Sequence, residues 1–302
     1  MDVGRVNAVV VDEERREQER ALTEAAGVVL RKLDVVEVTG EDAVKFLDGQ
    51  LSQAVASIPP GGSAWSFVLQ PQGKVVALVR VSVISANEVW LDCDAGLGEI
   101  LVERLNRFRL RVKANLSHRT ADAVSVRGPE SQGLARPQGA LDSLWPSWPG
   151  WDVLGSAECP AGVPTCSLEA WETVRIRAGL PVNGSDLTDK TIPAESGLVP
   201  LAASMTKGCY VGQELVARID SRGHVNRHLR TLDLQGSVPP MGAELVAADA
   251  AGAYKTVGTI TSSSFSHLAG HAIALAYVRR EVDSGSMVTV RWADGETKAS
   301  VN

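Results

Sequence analysis

Apolar positions along the chain switch between a period of three to four and a period of two, and the switches mark out its elements. Glu13, Glu14, Arg15, Arg16, Glu17, Glu19 and Arg20 lead into Ala21 and Leu22. Opposite charges at three- and four-residue spacing predict a surface helix over 12–26. A short strand follows at Asp34–Val38, and 39–42 reads as the cap of a helix with Ala43, Leu47 and Leu51 on its apolar face. From Trp65 the period is two. Trp65–Leu69 and Val89–Asp94 read as strands on either side of a longer one. In that strand Val75, Ala77, Val79, Val81 and Val83 form an apolar face, and Val76, Leu78, Arg80, Ser82 and Ile84 a mixed one. Turn chemistry at 70–73 and 85–88 joins the three into an antiparallel meander. The helix predicted after it places Leu97, Leu101, Leu105 and Phe108 inward.

Residues 128–166 hold most of the Gly and Pro punctuation and read as loops and short strands. Trp145, Trp148 and Trp151 lie there at three-residue spacing, which suits an aromatic cover for a core or a ligand-stacking wall. Ser167 is placed to cap a helix through Ala178 with Leu168, Trp171, Val174 and Ala178 inward, ended by Gly179 and Pro181. Beyond 225, four alternating runs (229–234, 256–261, 271–278 and 287–292) predict a small antiparallel barrel or sandwich. The expected class is α+β: an N-terminal helical segment (1–26), a core of two interleaved α+β subdomains (27–222) and a C-terminal β-barrel domain (223–302).

Composition narrows the functional classes. At 302 residues, with 44% hydrophobic and 22% charged residues, the chain has the make-up of an ordinary globular protein. A formal charge of −6 gives no overall attraction to nucleic acid or to an anionic membrane. Arg104, Arg107, Arg109, Arg111 and Lys113 crowd one stretch, which reads as a solvated helix end or a local basic strip. No apolar run reaches the ~18 residues of a membrane helix. Cys93, Cys159, Cys166 and Cys209 form no Cys-x-x-Cys pair, which fits free thiols in a reducing compartment. The expected location is cytoplasmic.

Two segments carry candidate chemistry. In 206–218, Gly208 and Gly212 permit a tight loop, and Gln213 opens a helix. Cys209 then lies beside Lys207 and ahead of a helix N-terminus, features that lower a thiol pKa. A small buried thiol in a turn is the alternative. The second comprises Gly179-Leu-Pro-Val-Asn-Gly184 and then 192–198, where Glu195 stands among apolar and small residues, suited to accept a bidentate pair from an amidine-like donor or to cap a turn. The histidine pairs 224/228 and 267/271 lack a third ligand, so no metal is expected. Gly96 and Gly98 do not complete a dinucleotide fingerprint, because Leu101 takes the place of the third glycine.

The segment Lys207-Gly-Cys-Tyr-Val-Gly-Gln-Glu214 resembles the signature of the YgfZ/GcvT-like folate-binding family at every defined position. Arg218, Arg222-Gly223 and Arg227 are similar to its continuation. The segments 38–50 and Pro71-Gln-Gly-Lys74 are similar to its opening and its hairpin, with Gln70 where an acid is usual. The resemblance implies three modules around a central channel that binds tetrahydrofolate or a one-carbon derivative. It implies that Glu195 holds the pterin ring and that Tyr210, Gly212, Gln213, Glu214, Arg218 and Arg222 contribute to the folate site. Cys209, with Lys207 tuning it, is the implied reactive pair.

The glycine-cleavage T-proteins of this family carry a catalytic acid in the hairpin, where this chain has Ala77 and Leu78. The expected role is therefore a folate-binding accessory factor for iron–sulfur assembly or repair, and through it tRNA modification. Its partners would be folate and iron–sulfur client or assembly proteins; direct nucleic-acid or membrane contact is not expected, and the expected state is a monomer. A folate-dependent one-carbon transferase or demethylase, and a non-catalytic binding scaffold, are the competing readings.

Overall fold

The computed structural model describes residues 3–155, 158–222, 225–248 and 252–302. The side chains of 3–10 and 218–222 lie outside that description. Helix α1 (Val3–Glu24) leads into β1 (Gly27–Thr39), which is more than twice the expected strand. After α2 (Ala43–Gln50) come the meander strands β2 (Ser63–Leu69), β3 (Val75–Ser85) and β4 (Glu88–Asp94), then α3 (Gly98–Asn106). Strands β5 (Asn115–Arg127), β6 (Leu141–Asp142) and β7 (Gly150–Leu154) complete an antiparallel sheet of order β2-β3-β4-β1-β5-β7-β6. The fold is α+β.

The two faces of β3 do different work. Ala77, Val79, Val81 and Val83 pack with Phe46, Leu47, Leu101 and Leu105 of α2 and α3 into the largest core. On the other face Arg80, 1% exposed, gives Nε and Nη2 to Asp92 (3.0 and 2.9 Å) and Nη1 to Asp152 (2.6 Å). Arg127 donates to both oxygens of Asp152 at 3.0 Å. Burial opposes the charge on all four groups; the paired cations still hold Asp152 far below the ordinary carboxylate range, while burial leaves Asp92 above it. A mixed face thus closes over ions because every charge has a partner.

Three local expectations change. Asp42 stands at the start of α2 without capping it; its carboxylate accepts the Lys113 N–H at 2.9 Å. Phe108 falls beyond the end of α3, partly exposed under the Arg104 guanidinium. Arg104 itself is buried and donates twice to the Leu69 carbonyl (3.0 and 2.6 Å), so it does not join a basic strip.

Helix α4 (Leu168–Arg177) starts at Ser167, whose hydroxyl accepts the Ala170 N–H at 3.2 Å. Leu168 is exposed, against expectation, because it occupies the first turn; Trp171 and Val174 face inward. A 3-10 turn (Pro193–Ser196), α5 (Val199–Ala202) and α6 (Gln213–Arg222) precede strands β8 (Arg227–Leu234), β9 (Glu244–Ala248), β10 (Tyr254–Ser266), β11 (His271–Arg279), β12 (Met287–Trp292) and β13 (Gly295–Val301). These six close as β10-β11-β8-β13-β12-β9, the antiparallel barrel that the alternating runs predict. Its interior is Val, Leu, Ile and Ala.

Two buried carboxylates fasten the barrel to the rest. Asp186 accepts Arg175 Nη1 (2.7 Å), the Val182 N–H (3.0 Å) and the hydroxyls of Thr261 and Ser262. Glu19 of α1 accepts the Ser266 hydroxyl (2.6 Å) and the His267 N–H (2.8 Å) at the β10–β11 turn. No described helix is long and apolar enough to cross a membrane.

Candidate functional site

The site begins where the β3–β4 ladder ends. Its last rung on that side is Arg80 opposite Asp92; the register continued by two residues would set Leu78 opposite Asp94. Asn183, from the segment after α4, occupies that rung. Its Oδ1 accepts the Leu78 N–H (2.8 Å), and its Nδ2 donates to the Leu78 carbonyl (3.0 Å) and to Asp94 Oδ2 (3.0 Å). The Asn183 backbone N–H donates to the same oxygen at 2.9 Å. The strands therefore part around a polar wedge, and a chamber opens beside it.

The chamber has an inner part of about 60 Å³, lined by Leu33, Trp65, Leu78, Asp94, Trp145, Trp171 and Asn183 among others. It shares Arg31, Asp94, Trp171 and Asn183 with a wider cleft of about 690 Å³ that reaches Leu30, Lys32, Asp122 and Leu168. Trp65 and Trp145 stack with centroids 4.5 Å apart, and the Arg31 guanidinium lies 4.1 Å over Trp171. The three clustered tryptophans divide their labour. Trp151 is core and donates to the Ser131 carbonyl; Trp148 donates to the Leu22 carbonyl and, with Trp145, lines the chamber. The Trp65 indole N–H is buried without an acceptor among the described residues.

The segment 207–214 is locked to the sheet. The Lys207 side chain, 3% exposed, donates to the carbonyls of Asp48, Leu51 (3.0 Å) and Gln53 (2.8 Å), with the Asp48 carboxylate 3.4 Å away. Burial lowers its pKa against the pull of Asp48. The ammonium thus sits in a cage of carbonyl oxygens. Tyr210 packs with Phe67, Leu69, Leu78 and Val216. Gln213 Oε1 accepts the Tyr210 N–H at 3.0 Å. Gly212 has φ +85°, and a Cβ there would lie 2.6 Å from the Gln70 carbonyl oxygen. Gly208 has open space around it, so only one of the two glycines is demanded by the backbone.

Cys209 is exposed, which sets aside the buried-thiol alternative. Cys93 and Cys166 are buried, and burial pushes both thiols up, Cys166 to about 11. Glu214 is exposed on the first turn of α6. None of 207–214 lines the chamber; Tyr210 packs in the sheet's second core and Gln213 accepts the Tyr210 N–H. Arg218 and Arg222 have side chains outside the described residues.

Glu195 is buried in the 3-10 turn, its Oε1 and Oε2 taken by Arg227 Nε (3.0 Å) and Nη2 (3.1 Å), and Oε2 also by the Ile192 N–H (3.1 Å). Arg227 lies 4.4 Å over the Tyr277 ring. The turn cap and the bidentate pair read from the sequence therefore coexist, with an internal arginine as the donor. Glu195 does not line the chamber. Among the described residues no group of three or more metal-ligating side chains comes together.

Residues 227–302 match the glycine cleavage T-protein C-terminal barrel domain. The fold as a whole is similar to the glycine cleavage system aminomethyltransferase T of Bartonella henselae, with a TM-score of 0.79 over 95% of this chain and 88% of that one at 19% identity. A mitochondrial iron–sulfur cluster assembly factor IBA57 homolog of Mycosarcoma maydis is 31% identical over 68% of this chain and 57% of its own length. The chain belongs to the YgfZ/GcvT-like family. An aminomethyltransferase of Corynebacterium jeikeium is 24% identical over 89% of this chain and 83% of its own. Strand β3 carries no acid: Ala77 is sealed in the main core and Leu78 lines the chamber. Sequence reasoning offered Trp145 as a ligand-stacking wall and placed Asn183 within a candidate segment, but gave no site role to Trp65 or Asp94, whose one local signal is their position at the ends of predicted strands.

Proposed function

We propose that this protein binds a reduced folate in the chamber and serves as an accessory factor in iron–sulfur cluster assembly, offering Cys209 to a partner. The observation that carries the reading is the setting of Cys209, an exposed thiol on a loop whose flanking Lys207, Tyr210 and Gly212 are fixed to the sheet. The Mycosarcoma maydis relative, named for iron–sulfur cluster assembly, supports the same role. A cytoplasmic location and a downstream effect on tRNA modification belong to this reading.

The chamber residues fit a reduced pterin. Trp65, Trp145 and Trp171 supply flat apolar walls, the unpaired Trp65 N–H seeks an acceptor, and Asn183 is held rigid by four hydrogen bonds. The adjoining cleft has room for the rest of a folate. A tetrahydrofolate supplies ring and side-chain amines that can carry a one-carbon unit. The chain's own residues exclude water with the tryptophan walls and orient a ring through the polar wedge.

Anaerobic titration with tetrahydrofolate tests the binding half: saturable quenching of tryptophan fluorescence is expected, and no binding at millimolar ligand would refute it. Cys209→Ser tests the other half. It should abolish rescue of a strain lacking its own factor of this type while leaving folate binding intact, and full rescue would sink the thiol role. One-carbon transfer to another substrate is the second reading, favoured by the likeness to a named aminomethyltransferase over most of both chains. It requires turnover of methylene-tetrahydrofolate with a methylamine donor.

A further inference from the structure

The chamber holds few carboxylates, and their hydrogen bonds sort them. In the inner part the acids are Asp92 and Asp94. Both oxygens of Asp92 are committed to Arg80. In the cleft, Glu172 is paired through both oxygens with Arg175, and Asp122 lies at the exposed mouth against Lys32. Asp94 differs. Its Oδ2 takes two bonds from Asn183, and among the described residues nothing donates to Oδ1.

Its position is equally specific. Continuing the β3–β4 register sets Asp94 across from Leu78, on the same side of the sheet, and both line the chamber. Two hydrogen bonds from Asn183 hold the Asp94 carboxylate there.

We propose that Asp94 Oδ1 is the chamber's ligand-recognising acceptor, selecting a flat heteroaromatic ring that presents N–H donors, as a 2-amino-4-oxo-pteridine does. This rests on the folate reading above. A carboxylate accepts and cannot donate, so it favours a ring with an amino group and ring N–H and rejects one without. Glu195 does not serve, since Arg227 and Ile192 occupy it outside the chamber.

Asp94→Asn is the test. An amide oxygen can still receive both Asn183 bonds, and the amide nitrogen then turns a donor toward the chamber. Tetrahydrofolate and p-aminobenzoylglutamate, which lacks the pteridine, are titrated into wild type, Asp94→Asn and Asp122→Asn. Loss of one charge-assisted hydrogen bond should weaken tetrahydrofolate about tenfold to a hundredfold in Asp94→Asn alone, with p-aminobenzoylglutamate unchanged. Equal tetrahydrofolate affinity in wild type and Asp94→Asn overturns the proposal while the folate reading stands. Equal weakening of both ligands marks a structural role and also overturns it. No tetrahydrofolate binding by wild type overturns the folate reading and this inference together.

Discussion

Replacing Gly212 by Ala, with Gly208→Ala as its twin, tests how the signature loop is fastened. At Gly212 the backbone has φ +85°, where a side chain costs about 1–2 kcal/mol. The new Cβ would also lie 2.6 Å from the Gln70 carbonyl oxygen and 2.8 Å from the Leu69 Cβ. Neither neighbour is the far end of a flexible side chain, so relief requires moving the β2–β3 hairpin, an overpacking cost of about 1–3 kcal/mol. The two together give about 2–5 kcal/mol. A chain with several structural units need not unfold in one step, so a single global free energy is the wrong readout. Hydrogen exchange followed by mass spectrometry reads the loop locally. Peptides spanning 207–216 and 69–76 should exchange at least about tenfold faster in Gly212→Ala, because each 1.4 kcal/mol of lost protection is a factor of ten. Gly208→Ala should leave them unchanged, since its Cβ would meet nothing within 4 Å. Equal protection in the two variants would refute the claim that Gly212 is required by backbone and contact.

Three further outcomes follow from the same structure. Lys207→Met empties the carbonyl cage and should cost about 2–4 kcal/mol after its relief from desolvation; the loop peptides again report it, and unchanged exchange would contradict the cage. Arg80→Met strands Asp92 and should be the most damaging, about 3–5 kcal/mol, read as a large fall in melting temperature or loss of folded protein. Asp34 governs an acid transition. Burial works to raise its pKa, but the Gly98 N–H, the Thr120 hydroxyl and the Gly96 N–H outweigh it and hold the carboxyl below its ordinary value. Its stabilisation is present above the unfolded value, about 3.9, and is lost as pH falls through the lower folded one. Asp34→Asn should melt lower than wild type at pH 7 and show a shallower decline below about pH 4; parallel curves would contradict this.

Much of the fold was written in short-range pattern. The alternation in 65–94 named three strands, Ser167 marked a helix start to the residue, and the runs after 225 anticipated the barrel strands β8 and β10–β12. Strand β5 went unread because its first half is exposed and polar, with Ser117, His118, Arg119 and Thr120 in sequence. In β1 the exposed or half-buried Leu30, Arg31 and Lys32, which border the cleft, interrupt the buried positions and hid the join between the two halves of one long strand. The site was less legible. Counting outward from Ser85 opposite Glu88 would pair Leu78 with Ala95, a register that the irregularity between Val83 and Ser85 shifts by one. That displacement brings Asp94 into the chamber, and no local pattern announces it. The surroundings of Lys207 were equally illegible, because its flexible stem carries the charge to oxygens around residues 48–53, more than 150 positions away in the chain.

The carbonyl cage also bears on recognition. A flexible loop that orders only when a partner arrives loses conformational entropy at that moment, about 0.5–1.5 kcal/mol for each immobilised side chain. Lys207, Tyr210 and Gly212 are already fixed on both sides of the thiol. Cys209 is therefore preorganised, and its encounter with a partner is charged little beyond the ordering of its own side chain.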